Sequence, residues 1–283
     1  MRVPKLILET NVCGKLLTSA YRSDIEEIQD RINRNFRLVV SPQTFLELLD
    51  GIKGGDGSYF AADQAQLRLM AGNGRPEFLR FPGAFALSKA LGIVPRDNSS
   101  VSRLGPSDFR NWFRVVLRAK TREALFSDGV RLPQDRKRRY WNFDPKTITG
   151  QQQEGKSQHR KLMEKVRETI ASLPSPDTWA AGIARSLGQT INRHQATTLA
   201  DRLDAAYHYD RAQYTAVTNG SYNFQKHDGD WMDWQQLFYL SDPNIFLLTD
   251  DRDLQRRVGQ STQRDRVLDL REFLKQQGLT PRH

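Results

Sequence analysis

The chain has 283 residues, a formal net charge of +10 and a sequence pI near 9.8, with 38% hydrophobic and 27% charged residues. This composition excludes wholesale disorder, allows a full core in one large domain or two, and favours a polyanionic partner. No stretch approaches the roughly 18 apolar residues of a spanning helix, and Glu9 interrupts the first apolar run, so neither a membrane span nor a secretory leader is expected.

A single cysteine, Cys13, excludes an internal disulfide and a thiolate zinc cluster, which fits a reducing, cytoplasmic setting. The five histidines are scattered, so any bound metal is expected to be held by oxygen.

In chain order, residues 5–8 (KLIL) form a short continuous apolar run, the pattern of a strand buried on both faces and here expected to be central. A polar helix to about residue 34 leads to a second strand over Leu38–Val40. Ser41 and Pro42 then stand in the N-cap and first-turn positions of a helix that carries Glu47. From 53 to about 190 no strand signal is read, and the text is helical between Gly, Pro and Ser clusters. Within that stretch, residues 142–146 and 151–155 read as exposed loop. A long helical pattern runs from Ala196 to about Val217, followed by strands at Ile245–Leu248 and Arg266–Leu270, each leading into a short helix. Alternating strands and helices predict an α/β fold with a central parallel sheet flanked by helices and a large helical insertion. The expected division is 1–52 with 196–283 as the α/β domain, and 53–195 as a basic insertion.

Four acidic motifs punctuate this order: LILETN around Glu9, SPQTFLELLDG around Glu47, GDWMDW with Asp230 and Asp233, and FLLTDDRDL around Asp251. Glu9 and Asp251 fall just past strand ends, where open α/β sheets bind ligands, and the other acids lie on helices. Each has a plainer reading alone. Glu47 fits the solvated side of an amphipathic helix, Asp230 with Asp233 a helix cap, Asp250 or Asp251 the cap of the following helix, and Glu9 a strand-end residue.

Taken together and in order, the motifs resemble the PIN-domain family of metal-dependent nucleases. The resemblance covers about residues 3–52 and 196–275. In that family a strand ends in an Asp-Thr-Asn-like triplet, a helix supplies Glu, a later helix opens with Asp, and a strand ends in Thr-x-Asp. Here the corresponding pieces are Glu9-Thr10-Asn11, Glu47, Asp233 and Thr249-Asp250-Asp251, with Glu9 standing where the family usually carries the shorter Asp. The resemblance implies that Glu9, Glu47, Asp233 and Asp251 hold Mg²⁺ or Mn²⁺ and cut a phosphodiester, with Asp230 as an additional ligand. Thr10, Asn11 and Thr249 would orient the acids, although Asn11 also suits a helix cap.

Two basic features suggest how a nucleic acid is held. Arg110, Arg114, Arg118 and Arg122 recur every four residues, with Phe113, Val116 and Leu117 on the buried side. Such a ladder disfavours the isolated helix by a few tenths of a kcal/mol per pair and so points to an anionic partner or to pairing elsewhere. Arg136, Lys137, Arg138 and Arg139 run into Tyr140 and Trp141, joining phosphate-seeking charge to rings on which bases stack. The resulting expectation is a cytoplasmic endoribonuclease acting on RNA, with DNA as the other polyanion. The alternatives are a catalytically impaired nucleic-acid-binding module, or the toxin of a toxin–antitoxin pair with an antitoxin protein as partner. A homo-oligomer is compatible with each.

Overall fold

A computed structural model describes residues 3–54, 60–72, 76–94, 105–126, 130–131, 142–143, 145–169, 172–224, 227 and 229–279. Its centre is a five-stranded parallel sheet built from β1 (Lys5–Leu8), β2 (Arg37–Val40), β3 (Glu77–Phe78), β6 (Ile245–Thr249) and β7 (Val267–Asp269). The order is β3-β2-β1-β6-β7, with β1 in the middle. A separate antiparallel pair joins β4 (Val130–Arg131) to β5 (Asn142–Phe143).

The period of two along each strand sorts the side chains onto two faces. Leu6, Leu8, Leu38, Val40, Phe78 and Leu248 enter one core, while Ile7, Val39, Ile245, Leu247 and Val267 enter the other. Each such burial contributes roughly 1.5–3 kcal/mol, so the unbroken apolar runs require helices on both sides. The first face receives helices Thr10–Leu16, Ile25–Asn35, Pro42–Gly54, Phe60–Ala71, Pro106–Arg118 and Leu270–Gln276. The second receives Pro82–Leu91, Pro176–Ser186, Arg193–Arg202, Asp204–Thr218 and Arg252–Val258.

The sheet therefore reaches into the stretch that the sequence reads as strandless. β3 is only two residues long and follows Pro76, too short to leave a period, yet it pairs Val39 with Glu77 and Val40 with Phe78. Phe109, Trp112, Phe113 and Val116 also lie in the first core, and Trp179, Ala180 and Ala184 in the second.

Residues 151–155, expected as loop, are inside the helix Pro145–Thr169. Its proline occupies the first position, where no backbone donor is lost, and glutamine, glutamate and lysine then propagate it. Gly155 has a packing reason within this helix, because a Cβ there would come within 2.8 Å of the Trp231 ring. The pattern over 196–217 is two helices, Arg193–Arg202 and Asp204–Thr218, meeting at Leu203.

The arginine ladder is also broken. Its helix ends at Arg118, and Arg122 begins the next, donating from Nε to the Ile52 carbonyl at 2.7 Å. Among the described residues no helix is long and apolar enough to cross a membrane.

Candidate functional site

From β1 the chain moves outward through β2 to β3, and it returns to β6 before moving the opposite way to β7. The carboxyl ends of β1 and β6 thus flank a switch point, the place where an open parallel sheet leaves a crevice. The helix after β1 packs on one face through Val12 and Leu16, and the helix after β6 packs on the other through Leu254 and Val258. Glu9 and Asp251 stand at the mouth of this crevice. Leu8 pairs with Leu248, and the Glu9 amide donates to the Leu248 carbonyl at 3.1 Å.

Glu9 is only 2% exposed. It occupies the N-cap of helix Thr10–Leu16, but its side chain makes no capping bond. Asn11 Nδ2 instead donates to Glu9 Oε2 at 3.1 Å, while Glu9 Oε1 is buried without a hydrogen-bond partner. Asn11 therefore orients Glu9, and its Oδ1 also accepts from the Asp250 amide at 3.4 Å, tying the two strand ends together. Burial above all, helped by the charges of Glu47 and Asp251, pushes the Glu9 carboxyl up to about 8 against the downward pull of the Thr249 hydroxyl and the Asn11 amide. The same carboxylates reach Cys13, whose thiol is raised by burial and then by Glu47 and Glu9.

Asp233 lies in the first turn of helix Asp230–Gln236, where the dipole favours an anion. Burial and then the charges of Glu9, Glu47, Asp251 and Asp230 hold its pKa well above the ordinary carboxylate range. Glu47 comes from the helix after β2. On its inward side Gln43 bonds Gln235, and Thr44 Oγ1 donates to Gln236 Oε1 at 3.3 Å, stitching the Glu47 helix to the Asp233 helix. Ser41 Oγ accepts from the Thr44 amide at 3.0 Å, so the expected Ser41 cap also places Thr44. Asp251 is the N-cap of helix Arg252–Val258, with Oδ1 accepting from the amides of Asp253 at 2.7 Å and Leu254 at 3.2 Å. Its own amide donates to Thr249 Oγ1 at 2.9 Å. Asp250 is drawn aside into an ion pair with Lys15.

Glu9, Glu47, Asp233 and Asp251 are thus close enough for each one's charge to be felt at Glu9 or Asp233, as their order in the sequence suggests. Thr249 and Asn11 join them at Glu9, whereas among the described residues Thr10 makes no side-chain hydrogen bond. Among the described residues, no group of three or more His, Cys, Asp or Glu side chains is gathered closely enough to hold a metal ion as the side chains stand. The donors still suit a hard divalent cation. All four are carboxylates, their charges add to burial in raising the proton affinity of Glu9 and Asp233, and one buried oxygen has no partner.

Asp230 is handled differently. Its Oδ2 accepts from Arg257 Nη1 at 2.5 Å, the Tyr222 hydroxyl at 2.8 Å and Gln213 Nε2 at 3.2 Å. The expectation of an additional ligand meets a carboxylate that the protein already occupies. Arg257 is the residue the sequence reading missed. A signal was present, since Leu254, Arg257 and Val258 share one helical face between two buried apolar positions. Gln43 and Thr44 carried a similar signal, being polar residues one turn before Glu47 and next to the apolar run of Phe45 and Leu46.

Of the basic residues, Arg114 and Arg118 are exposed, Arg110 is half-buried with its Nε enclosed and without a partner, and Arg122 belongs to the next helix. Arg136, Lys137, Arg138, Arg139, Tyr140 and Trp141 lie outside the described residues. Comparison with protein-family models, with curated proteins and with solved structures finds no match to this chain.

Proposed function

We propose that the chain is a divalent-metal-dependent nuclease that hydrolyses phosphodiester bonds in RNA. One observation carries the reading. At the switch point of a parallel sheet, the buried Glu9 Oε1 lacks a partner while Glu47 and Asp251 raise the proton affinity of its carboxyl. Like charges gathered in a poorly solvated crevice are unfavourable unless protons or a cation offset them.

Glu9, Glu47, Asp233 and Asp251 would hold Mg²⁺ or Mn²⁺. Bound there, the ion supplies charge neutralisation for the phosphate and activates water for attack at phosphorus. Asn11 and Thr249 keep the Glu9 carboxylate turned into the crevice, and Lys15 holds Asp250 away from it. Arg114 and Arg118 offer exposed cations for the phosphate backbone. The choice of RNA over DNA follows from the family resemblance.

The test is cleavage of RNA by the purified protein with Mn²⁺ or Mg²⁺. The expected result is metal-dependent cleavage that Asp251→Asn and Glu47→Gln each abolish while circular dichroism stays native. Undiminished cleavage by both variants would refute the site.

A second reading has one observation in its favour, the extra methylene of Glu9 relative to the aspartate of the resembled family. It describes a binding module without turnover. Such a module binds RNA with steep salt dependence and takes up no metal through these carboxylates.

A further inference from the structure

Asp230 and Arg257 are 5% and 8% exposed, and neither faces bulk water. Arg257 Nη1 reaches Asp230 Oδ2 at 2.5 Å and the Tyr209 hydroxyl at 2.9 Å, and the guanidinium lies 4.9 Å from the Tyr209 ring centroid. Its Nη2 is 3.3 Å from His227 Nδ1, which is itself 3.3 Å from Asp230 Oδ1. Burial opposes the charge on Arg257, but Tyr209 and Asp230 outweigh it and hold the guanidinium above its ordinary pKa. With Tyr222 and Gln213 also donating, three donors converge on Asp230 Oδ2, and a cation could take that oxygen only by displacing the guanidinium.

The placement matters more than the pair itself. Asp230 opens the helix on which Asp233 follows one turn later, and Arg257 closes the helix that Asp251 caps. A buried bond between them joins the two elements that present acids from the helical and the strand-end sides of the crevice. We propose that Asp230 and Arg257 are a positioning strut for the acid site, outside its ligand set, which fixes the Asp233 helix against the Asp251 helix and so sets the affinity for a divalent cation. This rests on the metal-site reading above.

The strut and the ligand interpretations of Asp230 differ in sign. If Asp230 were a ligand restrained by Arg257, removing the guanidinium would release it to the cation, and Mn²⁺ affinity would hold or rise. If the pair is a strut, Arg257→Met loosens the Asp233 helix, and the lost positioning weakens Mn²⁺ binding by about tenfold or more despite the added negative charge, as for other groups that orient metal ligands.

The experiment is calorimetric Mn²⁺ titration of the full chain as wild type, Arg257→Met and Arg257→Lys, with amide hydrogen exchange of residues 231–236 measured without metal. The expected result is weaker Mn²⁺ binding and faster exchange in that segment for Arg257→Met. Arg257→Lys should fall between it and wild type, because one ammonium reaches Asp230 or Tyr209 but cannot fork across both. Unchanged or tighter Mn²⁺ binding in Arg257→Met overturns the strut. If wild type binds no Mn²⁺, the metal-site reading fails and exchange alone decides, with unchanged protection in Arg257→Met overturning the strut. If Arg257→Met does not fold, the same two readouts on Arg257→Lys decide.

Discussion

The Asp230 cluster and the Glu9 cluster share the helix Asp230–Gln236 and are both withdrawn from water, but their charges are balanced in different ways. Around Asp230 the protein supplies a guanidinium, a phenol and a carboxamide. Around Glu9 and Asp233 the charges that raise their pKa are those of other carboxylates, and among the described residues no ion pair reaches Glu9, Asp233 or Asp251. Chains retain buried like charges where something from outside completes the set, and perturbed carboxyls in a crevice are candidates for function on that ground. The neutralised cluster serves the fold, and the crowded one is where the proposed cation would sit.

The largest effect that separates the two is a difference in sign. Asp230→Ala strands the buried Arg257 and should destabilise the metal-free protein by about 3–5 kcal/mol in urea unfolding. Asp233→Asn removes a carboxyl whose ionised form is disfavoured by burial and by its neighbours, and should leave metal-free stability at neutral pH unchanged or higher, while weakening Mn²⁺ binding. A loss of stability in Asp233→Asn matching that of Asp230→Ala would erase the distinction.

The next effect is on pH. A carboxyl whose pKa is raised by folding keeps a proton that the unfolded chain releases, so stability falls as pH rises from the ordinary carboxylate range through the folded value. Glu9 contributes up to about pH 8, Asp233 contributes with the same sign, and Asp210, raised by burial to about 7, adds to both. The thermal midpoint without metal should therefore decline between pH 5 and 8. Mn²⁺ should reverse the decline attributable to Glu9 and Asp233, and Glu9→Gln should flatten it. A midpoint that rises over this range contradicts the charge assignment.

Smaller effects sharpen the surroundings. Gly155→Ala gains about 1 kcal/mol of helix propensity but drives a methyl into the Trp231 indole, and a net loss of about 1 kcal/mol is expected in urea unfolding. Arg114→Ala with Arg118→Ala should change stability by less than about 0.5 kcal/mol, since both are exposed. In RNA binding the same pair should lower the salt slope by about one per arginine.

The parallel sheet was legible because its strands are buried on both faces and so read as unbroken apolar runs, with Ser41–Pro42 marking the helix start. β3 was not, since two residues show no period and its place depends on pairing with Val39 and Val40. The acids could be picked out from their positions after strand ends and at a helix start. Which were neutralised could not, because Arg257 reaches Asp230 across 27 residues and Lys15 reaches Asp250 across 235. The arginine ladder failed on a local detail, the end of its helix at Arg118.

The most direct measurement is a calorimetric Mn²⁺ titration at pH 7 in two buffers of different ionisation enthalpy, comparing wild type with Glu9→Gln. The account predicts that wild type binds Mn²⁺ and releases protons, because Glu9, pushed up to about 8, holds one in the metal-free state and Asp233 is shifted in the same direction. Glu9→Gln should bind more weakly and release fewer. Absence of binding in wild type, or equal affinity and proton release in both proteins, would contradict it.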